Sequence, residues 1–206
     1  MRLAILGASG HGKVVADVAE ASGWQEVVFF DDAWPNLLSN GPWKVLGDTR
    51  ELMTNLAEFD GLVVGIGNNA IRANKQALFA NMNINIVSIV HPSATVSVHA
   101  VIGAGTVIFA NAAVNTCAVI GEGVIVNTGA VIEHDCWVGN FSHISPNAVL
   151  AGGAKLQKKA WLGACASVRQ LLEIGEGAVV GMGAVVTKDV AAGTIVAGCP
   201  AKSLRP

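Results

Sequence analysis

The hydrophobic positions of this 206-residue chain obey two different rules. From Val90 onward every sixth residue is Val, Ile or Leu, through Val96, Ile102, Ile108, Val114 and so on to Val186, seventeen in succession with no slip of phase. Four residues after each of them stands a mostly small side chain, as at Ala94, Ala112, Ala130, Cys136, Ser142, Ala148 and Ala166, with Val124 and Leu172 larger. An α-helix would put residues six apart on opposite faces, and an extended strand needs a period of two. The six-residue period instead predicts a parallel β-helix of short flat strands and sharp corners. The aliphatic residue points inward and stacks on its counterparts, and the small one fits the corner. Glycine directly after the aliphatic, at Gly103, Gly121, Gly139, Gly163, Gly175 and Gly181, is expected to supply the corner torsions.

Before Val90 the six-residue period is absent. Arg2–Leu6 reads as a buried strand, followed by the loop Gly7-Ala-Ser-Gly-His-Gly12 and a helix to about Ser22. Val27–Phe30 is a second strand ending at Asp31-Asp32. Gly61–Ile66 is a third, running into Gly67-Asn68-Asn69 and a helix over about Ala70–Ala80. Strand, glycine loop and helix in succession make a small parallel α/β, Rossmann-like unit. The chain thus divides into an α/β domain over 1–85 and a β-helix with a C-terminal tail over 86–206.

Ligands of such sheets gather at the carboxyl ends of the strands, which makes Ser9, Gly10, His11, Asp31, Asp32, Gly67 and Asn68 candidate contacts. The first loop matches GxxxxGK, but Val14 stands where a phosphate-hydrolysing P-loop needs Ser or Thr to hold Mg²⁺. The dinucleotide fingerprint fails too, with Val15 in its last glycine position. Exposed amides at a helix N-terminus still favour an anion such as a pyrophosphate, and the two aspartates sit where a ribose or base could be bound. The competing reading is a tight turn beside two solvated acids.

Composition narrows the classes further. The chain is 52% hydrophobic and 14% charged, which excludes disorder. The net charge of −2 gives neither a basic field for nucleic acid nor a polybasic membrane patch. The apolar start is too short for a membrane span and lacks the features of a signal peptide. Cys117, Cys136, Cys165 and Cys199 form no CxxC pair, so they are expected as reduced thiols in a cytoplasmic protein. Cys136, at a small inward position, reads as packing rather than as a nucleophile.

Among five histidines, His134 stands between Glu133 and Asp135, and an adjacent carboxylate can orient an imidazole for general base work. His143 lies nine residues on, half a circuit of an eighteen-residue coil. The two should therefore not meet within one chain, and a shared site would take one histidine from each of two protomers. A trimeric zinc enzyme would need three converging imidazoles, and no third partner is evident.

The stretches GASGHGKVVADVA, FFDD, GIGNN, HPSA, NTGAVIEHDCWVGNFSHISPNAVLAGG and AGCPAK resemble the bacterial sialic acid O-acetyltransferase-like family of hexapeptide-repeat enzymes. Within it they are most similar to the UDP-4-amino-sugar N-acetyltransferases of bacillosamine type. The resemblance implies a left-handed β-helix, a homotrimer and acetyl-CoA as cosubstrate without a metal. It further implies transfer of acetyl to the amine of a nucleotide-linked 4-amino-4,6-dideoxy sugar in bacterial surface-glycan synthesis. His134 falls on the family's general base, Asp135 on its acidic neighbour and Gly152 on the amide facing the thioester carbonyl. His143, Ala164 and Met182 fall on acetyl or coenzyme A contacts, with Met182 replacing a glycine. Lys202 and Arg205 could meet coenzyme A phosphates. Ser9, Gly10, His11, Asp31 and Asp32 match the nucleotide-sugar contacts. O-acetylation of a sugar, and a non-catalytic nucleotide-sugar-binding protein, remain the alternatives.

Overall fold

The structure is a computed structural model and describes residues 1–82 and 84–204. It separates into two compact units, Met1–Pro92 and Ser93–Pro206.

The first unit is a five-stranded sheet. In chain order its elements are β1 (Arg2–Leu6), α1 (Gly10–Ala21), β2 (Glu26–Phe30), β3 (Ser39–Asn40), β4 (Trp43–Gly47), α2 (Thr49–Thr54), β5 (Gly61–Val64) and α3 (Asn69–Ala77). The strand order is β3-β4-β2-β1-β5, parallel except for the β3–β4 pair. Leu3, Ala4, Ile5 and Leu6 are all buried, as are Leu62, Val63 and Val64, because strands of a parallel sheet are covered on both faces. One face packs Ala4, Leu6, Val28, Phe30 and Leu62 on Leu52, Phe59 and Phe79. The three expected strands and two expected helices are present. The β3–β4 hairpin and the short helix α2 are additions, and α3 ends at Ala77 rather than near Ala80.

The second unit carries the six-residue repeat. Sixteen two-residue strands run from Thr95–Val96 to Val185–Val186 in this unit, and each ends on an aliphatic residue of the series, whose first strand, Ile89–Val90, falls within the first unit. Partners are eighteen residues apart and parallel, as in Val131↔Val149 and His143↔Trp161, so each coil has three sides. The resulting sheets hold Val131–Ile132 in the first face, Trp137–Val138 in the second and His143–Ile144 in the third. From Ile108 onward the aliphatic of each coil is buried, and the small residue at Ala112, Ala118, Ala130, Cys136 and Ala148 is buried with it. This is a left-handed parallel β-helix of hexapeptide repeats.

The corners correct one expectation. The glycines that directly follow the aliphatic do not carry the unusual torsions. Positive φ falls two residues later, at every sixth position from Gly105 to Gly183, and it includes Asn111, Cys117, Asp135, Phe141, Asn147, Lys159, Cys165 and Leu171. A side chain in that region costs about 1–2 kcal/mol, least for Asn and Asp. The glycines after the aliphatic serve a different need, close approach of stacked coils. A Cβ on Gly139 would stand 2.5 Å from the Lys158 nitrogen, and one on Gly163 would stand 2.7 Å from that of Met182.

Candidate active site

In the α/β unit, β1 lies between β2 and β5, so the loops that leave its neighbours part above it. That divergence makes a crevice at the carboxyl ends of the strands. The backbone there is held by contact rather than by sequence identity alone. Gly7 donates its N–H to the Phe30 carbonyl at 2.8 Å, and a Cβ on Gly65 would reach the Gly12 Cα at 3.0 Å. Ser9 precedes α1 in extended conformation and its hydroxyl makes no capping bond; it and Gly10 are exposed. Gly67 faces His11, with 3.8 Å between the His11 Cβ and the position of an added Cβ.

Two of the expected ligand contacts turn out to build the crevice itself. Asp31 accepts from the Ala8 N–H at 2.7 Å and from the Ala33 N–H at 2.9 Å, tying the end of β2 to the glycine loop. Asp32 accepts from the Thr49 N–H at 3.1 Å and from the Thr49 hydroxyl, and pairs with Lys75. Partial burial would raise its carboxyl, but the bonds from Lys75 and Thr49 outweigh that and hold it below the usual range. Asn68 caps α3, its side-chain oxygen accepting from Ala70 and Ile71 at 3.1 and 3.0 Å.

Arg72 was not anticipated. It is buried, and its guanidinium donates to the carbonyls of Ile66 and Gly67 at 2.9 and 3.0 Å and to the Asn69 side chain at 2.8 Å. It thereby fixes the loop after β5, and burial pushes it down to about 10. Burial, with the Arg72 charge adding to it, lowers His11 to about 4, so its imidazole is neutral at ordinary pH. An arginine on the inner face of a short helix is the signal that could have found it.

In the β-helix, His134 and Asp135 occupy the corner that follows the first face. His134 Nδ1 lies 2.8 Å from Asp135 Oδ2, a contact made with Asp135 at φ 60°. The shorter acid therefore reaches the ring. With Nδ1–H donated to the carboxylate, Nε2 is the acceptor. Gly152 stacks one coil further along, and a Cβ there would stand 2.6 Å from His134 Nε2. The bare Cα leaves room for the ring, and the Gly152 N–H takes no hydrogen-bond partner among the described residues. Glu133 is turned to Asn115, which donates to it at 3.0 Å.

His143 belongs to the third face, opposite the corner that holds His134, so one chain does not bring the two together. Its ring stacks on Trp161, centroids 5.8 Å apart and planes within 6°. Asn127 Nδ2 lies 3.2 Å from its Nε2. Beside this stack is an apolar cavity of about 310 Å³ lined by Ser145, Pro146, Trp161, Ala164, Val179 and Met182, which brings Ala164 and Met182 to one place. Trp161 Nε1 donates to Ser145 at 2.8 Å. Lys202 lies on the outermost strand of the same sheet, paired antiparallel to Ile195–Ala197, while Arg205 lies outside the described residues. Trp161 was missed, although it stands one coil, eighteen residues, after His143. Cys136 is buried, and burial raises its thiol. Among the described residues no three His, Cys, Asp or Glu side chains gather as metal ligands, and no helix is long and apolar enough to cross a membrane.

Comparison with known proteins agrees with both halves of this arrangement. The PglD N-terminal domain family matches residues 2–77, and the six-repeat bacterial transferase hexapeptide family matches residues 117–152. The UDP-N-acetylbacillosamine N-acetyltransferase of Bacillus subtilis (strain 168) is 34% identical over 114 residues. That match covers 52% of this chain and 51% of the relative, so it spans about half the length of that curated protein. Among solved structures, the acetyltransferase domain of PglB from Neisseria gonorrhoeae FA1090, in complex with acetyl coenzyme A, is 41% identical with a TM-score of 0.94. The match covers 98% of each chain. PerB from Caulobacter crescentus, in complex with CoA and GDP-perosamine, is 33% identical with a TM-score of 0.92, covering 98% of this chain and 97% of PerB. With a PglD-type α/β unit, a hexapeptide β-helix and near-complete likeness to these enzymes, the chain belongs to the acetyl-CoA-dependent N-acetyltransferases of nucleotide-linked amino sugars.

Proposed function

We propose that this protein transfers acetyl from acetyl-CoA directly to the 4-amino group of a nucleotide-linked 4-amino-4,6-dideoxy sugar, with His134 as general base. The observation that carries the reading is the corner itself: a histidine fixed through Nδ1 by Asp135, its Nε2 facing the open backbone of Gly152. The neutral amine attacks the thioester carbonyl carbon while His134 Nε2 accepts its proton, and Asp135 stabilises the imidazolium that results. The Gly152 N–H, without a hydrogen-bond partner among the described residues, stabilises the developing oxyanion in this reading, a contribution of about 3 kcal/mol in other acyl-transfer sites. Collapse breaks the C–S bond, and the coenzyme A thiolate leaves with the proton from His134.

In this reading the apolar cavity by Trp161, Ala164 and Met182 receives part of coenzyme A, with Lys202 near its phosphates. The crevice at Ser9, Gly10, His11, Gly67 and Asn68 receives the nucleotide sugar, with Asp31 and Asp32 shaping it. The separation of His134 and His143 within a chain supports a homotrimer in which neighbouring protomers share each site. The second face supports it as well, leaving Val101, Val119 and Trp137 exposed as an apolar column that association would cover. The reaction belongs to cytoplasmic glycan biosynthesis.

The test is thiol release from acetyl-CoA against a panel of UDP- and GDP-linked sugars bearing either an amine or only hydroxyls. Release with a 4-amino sugar alone is expected. Release with sialic acid or another hydroxyl acceptor instead would replace N-transfer by O-transfer, and release with none would leave a binding protein.

A further inference from the structure

Most of the left-handed corner positions are filled by residues suited to them, Gly, Asn or Asp. Leu171, at φ 62°, and Phe141 are the bulky apolar residues among them. Phe141 is half-buried, but Leu171 is 79% exposed, so its backbone strain is not repaid by burial of the side chain. Strain kept without a packing return points to use of the side chain at a site.

Its surroundings say which site. The Leu171 N–H donates to the Gly152 carbonyl at 3.1 Å. Its Cδ2 leans over Gly153, where an added Cβ would stand 2.7 Å from it. Gly152, the preceding residue of the same corner, is the one whose bare Cα faces His134 Nε2. An exposed isobutyl group therefore leans over Gly153 from the coil on one side, while the His134 ring lies against Gly152 from the coil on the other, so the two side chains approach the same bare Gly152-Gly153 corner from opposite sides.

We infer that Leu171 is a specificity-determining residue that contacts the carbon substituent beside the reacting amine and selects an acceptor with a methyl group there over one with a hydroxymethyl group. The inference rests on the acetyl-transfer reading above and names what distinguishes its acceptors. In a 4-amino hexose the carbon bearing the amine is bonded to C5, which carries C6, so the C6 group necessarily lies beside the reacting nitrogen. An aliphatic wall gains from burying a methyl, and it strips water from a hydroxyl without replacing the lost hydrogen bond. Apolar contacts of this kind discriminate by about ten- to a hundredfold.

The test compares kcat/KM for thiol release with two nucleotide-linked 4-amino sugars that differ only at C6, methyl against hydroxymethyl. It uses wild type, Leu171→Met and Leu171→Asn, the last because Asn accepts the left-handed backbone. Wild type and Leu171→Met are expected to prefer the methyl sugar by about tenfold or more. Leu171→Asn should lose most of that preference through the methyl sugar alone, with the KM for acetyl-CoA, the native mass and the thermal midpoint no worse than wild type. Three results would overturn the inference: an unchanged preference in Leu171→Asn, an equal loss with both sugars, or a changed native mass, which would assign Leu171 to contact with a second copy. Thiol release by wild type with neither sugar would instead bring down the acetyl-transfer reading and this inference with it.

Discussion

A single absent methyl group decides where the His134 ring can sit. Gly152→Ala would place a Cβ 2.6 Å from Nε2, so the ring must turn away from its place beside Asp135. We expect that variant to fold, to bind acetyl-CoA as wild type does and to lose about 100-fold or more in kcat, read by thiol release and calorimetric titration. At the other unit, His11 makes the protein acid-labile in a defined window. The unfolded chain takes up a proton near the ordinary value of 6.5, whereas the folded chain resists to about 4. The unfolded state therefore binds more protons between those values, and stability falls as pH is lowered through them, by up to ~3 kcal/mol. Asp32, lowered below its ordinary 3.8, acts in the same direction only at still lower pH. His11→Gln should flatten the decline of the thermal midpoint between pH 6.5 and 4. A slope unchanged by that substitution would show that His11 is not held neutral. His134 beside Asp135 was legible in the sequence as a candidate pair, and His11 only as a candidate ligand contact, its burial being visible in the fold alone. Arg72 was not singled out, because its place on the inner face of a short helix is a weak signal without the carbonyls it holds.

Strands of two residues cannot be recognised one by one, yet their order was plain from Val90 to Val186, because stacking makes each coil select the same residue at the same place. The corners were harder to read. Glycine after the aliphatic drew attention, although its need is space between coils, and the left-handed position two residues later is marked only statistically by Gly, Asn and Asp. The two roles separate by mutation. Gly139→Ala pushes a Cβ against the Lys158 nitrogen and should cost about 1–3 kcal/mol, a fall of several degrees in thermal midpoint. Gly177, at φ 63° with open space around its Cα, should accept Asn within about 0.5 kcal/mol. Equal losses at the two sites would refute that division. The β3–β4 hairpin escaped notice for a related reason: Trp43–Gly47 shows little alternation, and its partner Ser39–Asn40 is only two residues long.

At the level of the whole molecule, the loss of the six-residue period before Val90 led to a boundary drawn between residues 85 and 86, whereas the structure divides seven residues later, between Pro92 and Ser93. Each unit holds a separate set of the expected residues, and the β-helix keeps its two histidines on different sides of the coil. On the proposed reading a neighbouring protomer completes each site, and the native mass is then expected to be three times the 21.1 kDa of the chain. Analytical ultracentrifugation would check this, and an active monomer would contradict it. The most direct test of the account is acetyl transfer to a nucleotide-linked 4-amino sugar by wild type and by His134→Gln, with acetyl-CoA affinity measured on both. The account predicts acetylated product from wild type and a loss of about 100- to 10,000-fold in kcat for His134→Gln at unchanged affinity. Wild-type turnover by that variant would contradict it.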